Sequence, residues 1–372
     1  MSSSPSLAQS WHLLHRLLAQ PTKPPYLLSE ALGRATYHYS VYKAFGQAPD
    51  AALAQSMLQH AGGQMAGWLL PGCAWPTRQL DQACAAAWLS AGFAADGLAQ
   101  APVPALLAAL DPVMEQEALR LRAQAAGGRN FARVVRYFGL RSPLAQAYLA
   151  PLLALPFASL VSSEALPLGL SDGLAAELRV LLWLQQAGLS TPGTLEQLRR
   201  GIRYLLALRR EVDFGDQKYA VFPYQVQGPF LEPCFSAALG WPHGDLGQAL
   251  LLYEAHSLLR DAELARIAEL VGLNTLLRTT REATGVASSQ LYQGAAGVAH
   301  LYRKLYLASG QPAYQTGQEY WLTQTQQWLH QELATGFYES CEWELPRGLL
   351  GVGLVLLSAV AGEAPEWDAM LL

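Results

Sequence analysis

A Gly-x-x-Gly motif recurs four times in the second half of the sequence, each time followed by a strongly apolar stretch. The copies centre on Gly173 (LGLSDGLAAELRVLLWLQQAG), Gly244 (LGWPHGDLGQALLLYEAHSLL), Gly294 (SQLYQGAAGVAHLYRKLYLASG) and Gly348 (LPRGLLGVGLVLLSAVAG). The second glycine is Gly247, Gly297 and Gly351 in the last three, and Ala176 stands in its place in the first. The first glycines are 71, 50 and 54 residues apart, a spacing that marks a repeat architecture. Amphipathic patterns lie between the copies, at 195–210, 261–278 and 314–333. In the first of them, Leu198, Ile202, Leu205 and Leu206 form the stripe of a helix with one buried face. Each unit is therefore a glycine loop, a very apolar helix, a connection and an amphipathic helix. Such units predict an inner and an outer helical layer that bury a core only when the ring closes.

The first half carries the same pattern more faintly. One unit is expected at 27–46 with Gly33 as its surviving glycine, and two more at 85–97 and 127–139 with eroded loops. About seven units result. Alternating β-branched runs are almost absent while Ala and Leu dominate, so the expected fold class is all-α, an (α/α) toroid of about seven inner and seven outer helices. Proline-rich stretches at 101–104 and 222–233 look like connections. No linker divides the chain, so residues 1–372 are expected to form a single domain that includes the helical segment 1–25.

Composition narrows the function classes. The chain is 51% hydrophobic and 15% charged, which supplies ample material for a large core. Its longest nearly uninterrupted apolar run, 348–362, has 15 residues, whereas a membrane span needs about 20. No membrane span is expected. His12, His15 and Arg16 interrupt the N-terminal apolar pattern, which argues against a secretory signal and makes a cytoplasmic location the expectation. A net charge of −4 argues against a nucleic-acid surface. Arg199, Arg200, Arg203, Arg209 and Arg210 are expected on a solvated helix face. Cys73, Cys84, Cys234 and Cys341 stand far apart, without CxxC or HExxH spacing, and are expected to be buried thiols.

Three of the loops carry a resemblance. LGLSDG at 168–173, GWPHGDLG at 240–247 and LYQGAAG at 291–297 resemble signature loops of lanthionine synthetase C-like proteins, and the segment 347–372 is similar to the end of that family. The resemblance is good over 167–372 and fainter over 25–166. It implies a helical toroid with functional loops at one mouth. It also implies a cyclase chemistry in which two cysteines and a histidine hold a zinc ion that acidifies a peptide thiol, since a free thiol near pKa ~8.5 is mostly protonated at neutral pH. At the corresponding positions this sequence has Pro242, Tyr292 and Gln293. The family's acid/base histidine corresponds to Asp172, and an assisting arginine to Ala238. Proline offers no side-chain donor, and neutral tyrosine or glutamine is a poor zinc ligand. The expectation is that the zinc site is lost and that the chain needs no cofactor.

Several polar groups remain candidates. His243 is the one metal-competent side chain newly present in these loops. A rescue site pairing it with Asp172 or Asp245 and a distant cysteine is a minor alternative to a hydrogen-bonded loop histidine. Asp172 and Asp245 can act as an acid/base pair across one cavity, whereas the simpler role for Asp245 is to cap a helix or brace a loop. Trp241, His243, Asp245, Tyr292 and Gln293 are the expected peptide-contacting set, and Asp172, His243 and Tyr292 the catalytic candidates. Tyr37, His38, Tyr39 and Tyr42, with Tyr302 and Tyr306, are expected mainly in the core, and Trp343 and Trp367 as packing residues. Two main functions follow. One is a non-catalytic peptide-binding or accessory component of lanthipeptide-type modification, partnered by a precursor peptide and a dehydratase or active cyclase. The other is a zinc-independent enzyme using Asp172 and His243. A third, a purely structural scaffold, predicts a mouth plugged by side chains.

Overall fold

The computed structural model describes residues 6–19, 28–66, 77–98, 102–123, 130–154, 165–171, 173–228, 230–339, 341–362 and 366–370. The apolar helices expected after the glycine loops form at α8 (Leu174–Gln186), α10 (Asp245–Leu259), α13 (Ala295–Ser309) and α15 (Leu349–Ala361). Three earlier helices play the same part: α2 (Leu28–Phe45), α4 (Thr77–Ala95) and α6 (Phe131–Leu140). Neighbours pack in the order α2, α4, α6, α8, α10, α13, α15, and α15 packs back on α2. These seven helices close the inner ring.

Each inner helix is backed by an outer one. The pairs are α3 (Ala48–Ala66) on α2, α5 (Pro102–Ala123) on α4, α7 (Ser142–Leu153) on α6, α9 (Pro192–Ala207) on α8, α11 (Ala262–Leu276) on α10 and α14 (Pro312–Ala334) on α13. The seventh outer helix is α1 (Leu7–Leu18), which packs on α15 and touches α14, so the first helix backs the last. A short α12 (Arg281–Thr284) lies in the connection after α11. The architecture is the expected (α/α) toroid, with seven inner and seven outer helices among the described residues. Inner helices are apolar on every side because they are covered on every side: all ten residues from Leu349 to Ser358 of α15 are buried. Outer helices keep one wet face; on α9, Leu198, Ile202 and Leu205 are buried while Arg199, Arg200 and Arg203 are exposed.

Three local departures from the sequence-based expectations have simple causes. The stretch 101–104 is no connection from Pro102 on but the start of α5, where prolines are tolerated because first-turn N–H groups have no helical partner. Gly33 lies inside α2, not in a loop ahead of it, where a Cβ would meet Leu350 at 2.8 Å. It serves the close approach of α2 to α15, whereas the second glycines Gly247, Gly297 and Gly351 make room for loop residues Leu170, Leu291 and Leu345. A small antiparallel sheet also forms, in the order β1 (Ala165–Pro167), β2 (Gln225–Gln227), β3 (Glu232–Cys234). Two of its strands lie in the proline-rich connection at 222–233, and strands of three residues are too short to leave an alternation in sequence.

Candidate functional site at the mouth of the toroid

The N-terminal ends of α8, α10, α13 and α15 point to one side of the ring, each entered by its glycine loop. At Gly244 the backbone has φ +122, and a Cβ would come within 2.2 Å of the Ala238 carbonyl oxygen, so only glycine fits. At Gly169 the loops of neighbouring units meet: a Cβ there would lie 1.8 Å from the Pro242 carbonyl oxygen. Trp241 donates its backbone N–H to the Tyr292 carbonyl at 2.9 Å, and Tyr292 donates its own to the Pro346 carbonyl at 2.9 Å. The loops carrying Pro242, Tyr292 and Gln293 are thus stitched together by backbone, whatever their side chains are.

Across this rim the Tyr292 hydroxyl lies 2.8 Å from the Ser171 Oγ. The bridge links the loop of α13 to that of α8 and passes over the intervening loop of α10, where Pro242 is buried. On the far side Arg133 of α6 donates to the Ser171 carbonyl at 3.3 Å and to Asp81 of α4 at 2.5 Å. A hydrogen-bonded belt therefore runs around the mouth from α4 through α6 and α8 to α13. Ser171, Arg133 and Asp81 were not singled out from the sequence. Ser171 stands inside the LGLSDG loop and was within reach of that reading; the partners of Arg133 depend on closure of the ring.

The expected contact residues separate on inspection. His243 is half-buried beside the Tyr224 ring, at a centroid distance of 5.6 Å, and burial holds its imidazole below the usual histidine range. Tyr292 is half-buried and Gln293 exposed. These three are at the rim. Trp241 is 1% exposed and points inward, 5.8 Å from the His300 ring. Asp245 is fully buried: it accepts the backbone N–H groups of Val221 at 3.0 Å and Phe222 at 2.8 Å, and pairs with the buried Arg278. Its carboxylate braces the segment that precedes the small sheet, the simpler of its two expected roles, and presents no free surface to a ligand. Asp172 lies outside the described residues.

The three positions that the resemblance sets against zinc ligands carry neither thiolate nor imidazole. Pro242 offers no side-chain donor, the Tyr292 phenol is engaged by Ser171, and Gln293 is a weak neutral ligand. Among the described residues, no three of His, Cys, Asp and Glu come together in a way that could hold a metal. Cys84, Cys234 and Cys341 form no disulfide, and of these expected buried thiols only Cys84 is buried, Cys234 and Cys341 being half-buried. Tyr37, Tyr39, His38 and Tyr302 are core residues, Trp343 lies 4.4 Å beneath the Arg34 guanidinium, and no helix among the described residues is long and apolar enough to cross a membrane.

One buried acid was not anticipated. Glu177, in the first turn of α8, is 7% exposed, and burial alone pushes its carboxyl up to about 8. Unfolding frees this group to ionise near its ordinary value of 4.5, so stability attached to it is present below pH 4.5 and is lost as pH rises toward 8. At pH 7 the loss amounts to roughly 3 kcal/mol. Glu177→Gln is expected to remove that loss, so urea unfolding should show the variant gaining on the parent between pH 4 and pH 7. Parallel pH profiles would refute a protonated Glu177.

No functionally curated protein matches the chain. Among solved structures, nisin cyclase is similar: the TM-score is 0.70 at 14% sequence identity, covering 98% of this chain and 96% of that one. At that identity the likeness speaks for the fold. The sequence model of lanthionine synthetase C-like protein matches residues 162–372, more than half of the chain, and spans the four glycine loops whose geometry is described above. The chain belongs to the lanthionine synthetase C-like family.

Proposed function

We propose that this family member does not carry out zinc-dependent cyclisation and instead binds a peptide at the mouth, as an accessory component of lanthipeptide-type modification in the cytoplasm. The observation that carries the reading is the Ser171–Tyr292 bridge at 2.8 Å beside Pro242, which puts a hydrogen bond and a proline where the family's metal chemistry needs thiolates and imidazole. His243, Tyr292 and Gln293 remain at the rim as an aromatic and polar surface suited to an extended peptide. A precursor peptide is the proposed ligand, and a dehydratase or an active cyclase the proposed protein partner.

The test has two arms. Elemental analysis of the purified chain is expected to find only trace zinc, and incubation with a dehydrated peptide to yield no thioether ring. The same peptide is expected to bind, with Tyr292→Ala weakening it about tenfold, the loss typical of an aromatic contact at an interface. One zinc per chain, or ring closure by the chain alone, would overturn the proposal. A second reading, a zinc-independent enzyme acting through Asp172 and His243, is supported by the neutral, half-buried His243. Any activity it has must fall in Asp172→Asn and His243→Ala; unchanged turnover in both removes that reading.

A further inference from the structure

Two tryptophan rings converge on His300 from opposite ends of the inner ring. Trp241 reaches His300 from the mouth, and from the opposite end the C-terminal 3₁₀ turn Glu366–Met370 brings the Trp367 ring to 4.6 Å from the same imidazole. His300 and Lys304 lie six and ten residues past Gly294 on α13, about 9 and 15 Å below the mouth at 1.5 Å per residue. Side chains of the inner ring grip the turn. Trp367 has no exposed surface and donates its indole N–H to the Ser358 Oγ of α15 at 2.9 Å. The Asp368 Oδ2 accepts from Lys304 at 2.8 Å and lies 3.2 Å from the His300 Nε2. Arg179 of α8, held bidentate by Glu254 at 2.8 and 2.9 Å, adds a further positive charge that Asp368 feels. Burial works against the Asp368 carboxylate, but Lys304 and His300 outweigh it and hold its pKa well below the usual range.

An indole slot with a hydrogen-bond acceptor, next to a half-buried lysine and a buried histidine that hold one carboxylate, is the chemistry of a peptide-binding site. Here three inner helices build it and two consecutive residues fill it. We propose that the base of the toroid is a binding site for a short peptide segment bearing a tryptophan followed by an acidic residue, and that Trp367–Asp368 occupies it in cis. A tethered segment competes at a local concentration in roughly the millimolar range, so an outside segment binds measurably only when the cis contact is weakened. The proposal stands apart from the reading of the mouth.

The experiment uses the full chain and a labelled synthetic peptide of residues 362–372. The peptide is expected to bind the Asp368→Asn chain at least about tenfold tighter than the unaltered chain, because the weakened cis occupant no longer excludes it. Adding Lys304→Met to that chain, or placing asparagine at the Asp368 position of the peptide, should abolish the gain. Equal binding to both chains, or binding to neither with circular dichroism showing both folded, overturns the proposal. If Asp368→Asn does not fold by itself, refolding with the peptide present decides: recovery supports the site and failure to recover overturns it. A dehydrated peptide that still binds the mouth while the C-terminal peptide binds neither chain leaves the mouth reading standing and removes this one.

Discussion

Substituting Pro242→Cys, Tyr292→Cys and Gln293→His together is expected to yield a chain that carries one zinc ion, where only traces are expected in the parent. The reason lies in the backbone. The loops bearing these positions are joined by the Trp241-to-Tyr292 backbone bond, and a Cβ on Gly240 would sit 2.9 Å from the Tyr292 carbonyl oxygen and 3.0 Å from the Gln293 Cα. Two thiolates and an imidazole placed on that frame make three zinc ligands, with the fourth position open to water. Binding tighter than micromolar, better than about 8 kcal/mol, is expected even for an imperfect three-ligand site. The gain should be lost at low pH, since thiols and imidazole must give up protons to bind. Tyr292→Cys also breaks the bridge to Ser171, freeing the space the phenol occupies. Elemental analysis and competition with a chromophoric chelator measure the effect. A folded triple variant that holds no zinc would show that the scaffold, and not only the ligand set, has drifted.

Asp245→Ala is expected to be the most damaging single change near the site, costing about 3–5 kcal/mol in urea unfolding. It strands the Arg278 charge in a place with no solvent and leaves the N–H groups of Val221 and Phe222 without an acceptor. Against a typical total of about 5–15 kcal/mol, that is a large share. Adding Arg278→Met to Asp245→Ala should recover part of the loss, because the uncompensated charge leaves with its side chain; the two backbone donors remain unsatisfied. A loss below about 1 kcal/mol would contradict a bracing role, since surface carboxylates cost that little. Peptide binding by the folded double variant separates the two roles of Asp245: a brace leaves affinity near that of the parent, and a contact residue does not.

Which residues make helices was legible without coordinates in the second half of the chain, and less so in the first, where α3, α5 and α7 were not anticipated. The glycine period, the all-round apolar stretches and the one-sided stripes at 195–210, 261–278 and 314–333 specify inner and outer layers, because burial on all sides and burial on one side demand different sequences. The identities of Pro242, Tyr292 and Gln293 were equally plain, and side-chain donor chemistry is a property of the residue wherever it sits. Tertiary structure decided what each polar group meets. Asp245 and His243 stand two residues apart, yet the first is sealed against Arg278 and the second lies at the rim. The bridge from Ser171 to Tyr292 spans 121 residues of chain, and the clasp from His300 to Asp368 spans 68. Local sequence sets periodicity and loop chemistry because those depend on neighbours along the chain; partners of a buried charge or hydroxyl depend on which helices the closing ring brings together, and only the closed ring contains that information.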